Sequence, residues 1–237
     1  MNDLRDRTIL ITGASRGIGR ALAERCARDG ARLAICGRDE AALAETGALS
    51  ARAGAATVFA RAFDLATEDE ILAFLAGARR ESGPIDILVN NAGYNSRKVP
   101  LVDVDTAELD AMIAVNLRAP FILMREVAAD MKAAGRGHVV NVLSTVCHAD
   151  IETMGAYTGV KQGLDALTRV FRKEVRADGI RVTAVYPGGT DTEFRAQRRP
   201  DYMRPESVAE VIWRVLTMPD DAIVHELTFR PMVESNF

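Results

Sequence analysis

Three cysteines and three histidines are few for a chain of 237 residues. Cys26, Cys36 and Cys147 are odd in number and far apart, which excludes a disulfide framework and a thiolate metal cage. His138, His148 and His225 are equally scattered, so no metal centre is expected and no thiol chemistry is indicated. Charge of one sign is also scarce. The formal net charge of −3 is too small to argue for a nucleic acid or a membrane surface as partner. No run approaches the roughly 18 uninterrupted apolar residues that a bilayer span needs. The first residues, Met1-Asn-Asp-Leu-Arg-Asp-Arg7, lack the apolar run behind a basic patch that marks a secretion leader. A cytoplasmic protein is the expectation. What remains is an ordinary globular composition, 48% hydrophobic and 27% charged, with length enough for a large α/β core. No internal repeat, low-complexity tract or linker divides the chain, so one domain over 1–237 is expected.

The chain opens with a short apolar, β-branched run, Thr8-Ile-Leu-Ile-Thr12, followed at once by Gly13-Ala-Ser-Arg-Gly17-Ile-Gly19. Ile18, Leu22 and Cys26 then recur at helical spacing up to Gly30. Strand, glycine turn and helix open a dinucleotide-binding unit. Gly13 permits the tight turn, Gly17 removes a side chain where backbone approaches a pyrophosphate, and Gly19 lets helix and strand pack closely. The helix N-terminus offers unpaired N–H groups and a positive dipole end to phosphates. The spacing is G-x-x-x-G-x-G rather than G-x-G-x-x-G, and a glycine turn without a ligand is the alternative. At the end of the second strand, 31–37, an acidic residue would favour NAD(H) by accepting from the adenosine ribose. Gly37 stands there instead, with Arg38 behind it and Arg16 within reach. Two guanidinium groups suit a 2′-phosphate, so NADP(H) is expected over NAD(H). Asp39 leaves a second possibility, pairing with an arginine or contacting the ribose.

Helix 40–53, strand 57–63, helix 68–80 and strand 85–89 continue the alternation, which predicts a Rossmann-type, doubly wound parallel sheet with helices on both faces. Asp64, at the third strand's end, reads as a turn former or helix cap, or as a contact to an adenine amino group. After the fourth strand, Asn90-Asn91-Ala92-Gly93 combines small residues that leave room for a cofactor with amides that hold a loop. Further on, Gly155-Ala-Tyr157-Thr-Gly-Val-Lys161 opens a helix whose apolar stripe is Leu164, Leu167, Phe171 and Val175. Tyr157 and Lys161 are four apart and share a face. An ammonium beside a phenol favours the phenolate and draws its pKa from about 10 toward the working range. Ser144 ends the buried run His138-Val-Val-Asn-Val-Leu143, which would deliver its hydroxyl to the sheet's C-terminal edge. Together the three suggest a site that polarises a carbonyl and passes it a proton. Alone, a Tyr and a Lys at this spacing are usually a solvated surface pair.

Thr12-Gly-Ala-Ser-Arg-Gly-Ile-Gly19, Asn90-Asn-Ala-Gly93, Asn116, Ser144, Tyr157-x-x-x-Lys161 and Pro187-Gly188 occur in this order. With them the chain, from Thr8 to about Arg230, resembles the short-chain dehydrogenase/reductase family in its compact single-domain branch. The resemblance implies an enzyme with Tyr157 as general acid in reduction and base in oxidation. It implies Lys161 on the nicotinamide ribose, lowering the tyrosine's pKa, and Ser144 on the substrate oxygen. Asn116 would bend a long helix and hold a water that links Lys161 to solvent; Pro120, four residues on, fits a local break. The implied cofactor contacts are Gly13, Ser15, Arg16, Gly17, Ile18 and Gly19 in the first turn and Arg38, Asp64 and Leu65 beyond it. They continue through Asn91, Ala92 and Gly93 to Tyr157 and Lys161, and end with Pro187, Gly188, Thr190 and Thr192. Thr158 and Gly159 depart from the more frequent Ser and Ala, and Leu143 replaces a frequent second serine. Gly159 costs roughly 1 kcal/mol against Ala in a helix; room for nicotinamide or for a neighbouring chain would explain it.

A small carbonyl or alcohol substrate would be read by segments 94–100 and 145–154 and by a lid over 190–204. Four lid arginines, Arg195, Arg198, Arg199 and Arg204, suit an anionic substrate or a solvated basic loop. His148 and Glu152 read as structural or solvated. The ending, with a helix over 205–216 and a last strand and turn over 222–232, is similar to that of family members oxidising 3-hydroxy acids such as serine. The 3-oxoacyl reductases are the other near relatives. The family also implies a homo-oligomer, tetramer or dimer, through helices near 105–134 and 155–177, with Met124 or Val170 facing outward. A dinucleotide-binding sensor without chemistry is the competing class; such proteins commonly lack the tyrosine or lysine.

Overall fold

Short apolar runs form strands here because helices cover both faces of a parallel sheet. The computed structural model describes residues 3–194 and 197–235. Its strands are β1 (Thr8–Thr12), β2 (Arg32–Gly37), β3 (Thr57–Ala62), β4 (Ile87–Asn90), β5 (Gly137–Val142), β6 (Ile180–Pro187) and β7 (Glu226–Phe229). All pair in parallel, in the order β3-β2-β1-β4-β5-β6-β7. The helices are α1 (Gly17–Ala27), α2 (Glu40–Ala53), α3 (Glu68–Ser82), α4 (Thr106–Ile113), α5 (Ala119–Ala134), α6 (Gly155–Glu174) and α7 (Pro205–Leu216). One apolar cluster packs α3, α5 and α6 on the sheet through Phe74, Leu123, Val127 and Leu164. A second packs α1, α2 and α7 through Leu22, Leu43, Val208 and Ile212. This is the doubly wound architecture that the alternation predicts. The strand order reverses at β1 and β4, and that reversal opens a crevice at their C-terminal ends. Among the described residues no helix is long and apolar enough to cross a membrane.

Several boundaries differ from expectation for local reasons. β4 starts at Ile87 because Asp86 belongs to the preceding turn, where its carboxylate accepts from the Thr8 N–H at 3.0 Å and pairs with Arg7 at 3.1 Å. The helix near 105–134 is interrupted, as expected at Asn116, by one π-helical turn, Ala114–Arg118, between α4 and α5. Pro120, in the first turn of α5, has no N–H to return to the preceding turn, which favours such a break. The last strand covers only Glu226–Phe229. Met124 is 3% exposed and lies in the core, so it faces inward, against expectation, whereas Val170 is 55% exposed.

Buried polar groups tie the strands together. The Asn90 amide donates to Asn141 Oδ1 at 2.8 Å, and the Asn141 amide donates to Thr168 Oγ1 at 2.8 Å. His138 Nε2 lies 2.9 Å from Thr183 Oγ1. Burial pushes the His138 imidazole down to about 3, so it stays neutral.

Candidate active site

The glycine turn between β1 and α1 folds back onto the loop after β4. Gly13 and Gly17 have φ of 68° and 58°, the left-handed region that favours glycine. A Cβ on Gly13 would lie 2.8 Å from the Ala92 Cα, and one on Gly19 would run into the Gly13 carbonyl. Gly19 thus permits the turn to close on itself rather than only helix against strand. Thr12 Oγ1 accepts from the N–H groups of Asn91 and Ala92 at 3.1 and 3.0 Å. The Asn91 amide donates to the carbonyls of Thr12 and Gly13 at 2.9 and 3.3 Å. Arg20 was not singled out by any sequence pattern, yet its guanidinium donates to the carbonyls of Ser15 and Ala42 at 2.8 and 3.0 Å and pairs with Glu45 at 2.9 Å. That clamps the turn to α2.

Arg16 and Arg38 are both exposed, and among the described residues neither forms an ion pair. The Arg38 guanidinium lies 6.0 Å from the centroid of the Tyr94 ring. The Asp39 carboxylate caps α2, accepting from the Ala42 N–H at 3.0 Å, so it pairs with neither arginine. Gly37 lacks a side chain because a Cβ there would collide with the Ser15 hydroxyl, which donates to the Asp39 carbonyl at 3.4 Å. Asp64 Oδ1 accepts from the Ala66 N–H at 3.0 Å, the turn-forming arrangement, and Leu65 is buried in the core.

One cleft is lined by Gly13, Arg16, Gly17, Ile18, Asn91, Ala92 and Gly93 on one side and by Val142, Leu143, Ser144, Tyr157 and Lys161 on the other. Pro187, Gly188, Thr190, Thr192, Glu193 and Phe194 close it. Ser15, Gly19, Arg38, Asp64, Leu65 and Asn116 stand outside this lining. Tyr157 is 7% exposed, in the first turn of α6. Its ring centroid lies 5.8 Å from Lys161 Nζ and 6.1 Å from the ring of Phe194. Lys161 Nζ donates to the Val142 carbonyl, at the end of β5, at 3.0 Å. Burial pushes its pKa down to about 8. Ser144 follows β5 and caps a 3-10 turn, Thr145–His148, its hydroxyl accepting from the Val146 N–H at 3.3 Å.

Asn116 sits in the π turn, fully buried. Its amide donates to the carbonyls of Tyr94 and Met112 at 2.7 and 2.9 Å, and its Oδ1 accepts from the Tyr94 N–H at 3.1 Å. It therefore braces the loop after Gly93 as well as breaking the helix. A Cβ on Gly93 would lie 3.4 Å from Asn116 Oδ1 and 3.8 Å from Lys161 Nζ, in ordinary contact with both. Gly159 is exposed, faces open space and stands outside the cleft lining. The His148 ring packs on Tyr186 at 4.4 Å, and Glu152 is exposed.

A second chamber adjoins the cleft at Ser144 and Tyr157. Asn95, Arg97, Lys98, Ile151 and Met154 line it, as expected of segments 94–100 and 145–154. Val233, Glu234 and Ser235 line it too, a wall that no sequence pattern indicated. The lid arginines divide between the solvated and the site-lining reading. Arg198 is held by Asp191 at 2.9 Å and, with Arg204, lines a groove beside α1 and α7 instead. Arg199 does line the chamber, but pairs with Asp201 at 3.4 Å and lies over the Tyr202 ring at 4.4 Å. Arg195 lies outside the described residues.

Comparison with known proteins meets this geometry. A family model described as short chain dehydrogenase matches residues 7–203. An uncharacterised oxidoreductase of Staphylococcus saprophyticus is 30% identical over 98% of this chain and all of its own length. Among solved structures, a metagenomic short-chain oxidoreductase in complex with NADP is 35% identical, with a TM-score of 0.87 over 98% of this chain and all of its own. An alcohol dehydrogenase from Thermococcus sibiricus complexed with 5-hydroxy-NADP is 29% identical, with a TM-score of 0.88 over 96% and 97%. The closed form of a serine dehydrogenase complexed with NADP+ is 26% identical, with a TM-score of 0.88 over 96% of each chain. Sheet order, glycine turn and the matched family model lead to one conclusion: this chain belongs to the short-chain dehydrogenase/reductase family.

Proposed function

We propose that the protein is an NADP(H)-dependent oxidoreductase interconverting a carbonyl and a secondary alcohol. The observation that carries this reading is that Ser144, Tyr157 and Lys161 share one cleft with the glycine turn. The residues fit a phosphorylated dinucleotide. Gly13 and Gly17 leave backbone open to a pyrophosphate, and Arg16 and Arg38 have no carboxylate partner among the described residues. The carboxylate that could compete, Asp39, is engaged as a helix cap. The bound NADP-type cofactors of three neighbours support the same choice. Arg16 and Arg38 would hold the 2′-phosphate, and Pro187, Gly188, Thr190 and Thr192 the nicotinamide end.

The cofactor supplies the hydride; the protein supplies position and charge. Ser144 donates to the substrate oxygen as negative charge grows there, and Tyr157 releases its proton to it. The Lys161 ammonium stabilises the phenolate that remains. Val142, whose carbonyl holds Lys161, fixes that ammonium relative to Ser144 two residues on. Acid/base help of this kind is worth roughly two to four orders of magnitude. For substrate, a 3-hydroxy acid or a 3-oxoacyl compound is the reading, supported by the serine dehydrogenase neighbour. Residues 190–204 act as the lid of one domain spanning 1–237. The exposed Phe121, Leu167 and Val170 on α5 and α6 support a homo-oligomer, tetramer or dimer.

The test is an initial-rate screen at the NADPH absorbance band, with NADPH and NADH run separately against aldehydes, ketones and 3-oxo esters, and 3-hydroxy acids in reverse. Tyr157→Phe should lose at least about a hundredfold in kcat while holding NADPH. A variant retaining more than about a tenth of the wild-type rate would remove Tyr157 from the acid's role.

A further inference from the structure

The turn after β6 separates the cofactor cleft from the substrate chamber. Gly188 and Thr190 line the cleft, and Gly188 and Gly189 line the chamber. Gly189 is held at both ends of its peptide. Its carbonyl accepts from the Met203 N–H of the lid at 3.1 Å. Its own N–H donates to Glu234 Oε1, from the C-terminal tail, at 2.8 Å. The second carboxylate oxygen faces Arg230 Nη1 at 3.7 Å, and both side chains are largely shielded, 14% and 11% exposed. Tail and lid press directly on this backbone: a Cβ on Gly188 would lie 3.1 Å from the Arg230 Cα, and one on Gly189 would collide with the Tyr202 ring. A hydrogen bond from a backbone N–H to an ionised, shielded carboxylate is among the stronger ones, and it fixes direction as well as distance.

We propose that Glu234 is a positioning residue that sets the wall between cleft and chamber by holding Gly189, and that the C-terminal tail thereby determines substrate affinity. This rests on the oxidoreductase reading for its consequence, though not for the tether itself. Val233, Glu234 and Ser235 line the chamber and none of them lines the cofactor cleft, so the effect falls on substrate more than on cofactor.

Three variants separate the tether from the ion pair. Glu234→Ala removes both. Glu234→Gln keeps an oxygen that accepts from Gly189 but loses the charge. Glu234→Asp keeps the charge but draws it back by one methylene. Amide hydrogen exchange of the full chain, read on the peptide containing Gly189, needs neither substrate nor cofactor. Exchange there should quicken about tenfold or more in Glu234→Ala and Glu234→Asp and return to within about threefold of wild type in Glu234→Gln. With ethyl 3-oxobutanoate and NADPH, KM should rise about tenfold in the first two, kcat and the NADPH Kd should stay within about threefold, and Glu234→Gln should recover. Unchanged exchange in Glu234→Ala overturns the tether, and so does Glu234→Gln behaving like Glu234→Ala, which would assign the effect to Arg230. Altered exchange with unchanged KM overturns the role in substrate affinity. Loss of turnover from the wild type itself would count against the oxidoreductase reading, while exchange at Gly189 still decides the tether.

Discussion

Thr12, Asn91 and Arg20 hold the cofactor side of the site through backbone carbonyls and N–H groups, over short distances and largely out of solvent. The substrate side is held by charged side chains near the surface, as in Arg97 with Glu108 at 2.8 Å and Arg199 with Asp201 at 3.4 Å. Bonds of the first kind leave little freedom, because a buried backbone group without its partner is costly. Exposed ion pairs contribute little each and can exchange partners without disturbing the fold. The contrast teaches which half can vary. A fixed platform orients the dinucleotide, and a wall assembled from loops, lid and tail meets the substrate.

The largest effect should come from Tyr157→Phe, which under the proposed mechanism removes the reacting proton at the seam between the two halves; it should leave the NADPH Kd close to wild type. Next, Arg16→Ala and Arg38→Ala should each lower the preference for NADPH over NADH by about tenfold or more, as expected for lost charge-assisted bonds to a phosphate. Dissociation constants for the two cofactors, titrated by fluorescence, check this; an unchanged ratio would move phosphate recognition elsewhere. A smaller effect tests the scaffold beneath both walls. The unfolded chain protonates His138 below about pH 6.5, whereas the folded protein resists until about 3. Acidification through that window therefore favours the unfolded state, and stability should fall by about 2 kcal/mol between pH 6.5 and about pH 5 from this group alone. Urea unfolding at the two values, with His138→Gln as control, should show that part of the slope disappearing. The smallest effect should come from Arg198→Ala. Its guanidinium is exposed where it pairs with Asp191, so stability should change little. KM for an anionic substrate should not change, because Arg198 lines another groove.

Much of the cofactor side was legible because its determinants are local. Gly13, Gly17 and Gly19 sit within seven residues, and their spacing encodes a turn that few other residues could make. Tyr157 and Lys161 were legible for the same reason, since helical spacing alone puts them on one face. Asn116 was visible only as a resemblance; its grip on Tyr94 and Met112 depends on a π turn that no periodicity announces. The lid arginines left two readings open because composition shows charge but not which carboxylate neutralises it.

The sequence by itself determined the alternation of strands and helices, the glycine turn and the Tyr157–Lys161 face, all of which follow from spacing over a few residues. Only the tertiary structure decided that Arg20 clamps the turn, that Asp39 is a cap rather than a partner of the arginines, and that Glu234 reaches Gly189. Glu234 and Gly189 are 45 residues apart in the chain. A contact of that kind exists only once β6 and β7 have paired and carried the tail back to the site, and nothing in the local pattern of either segment records it.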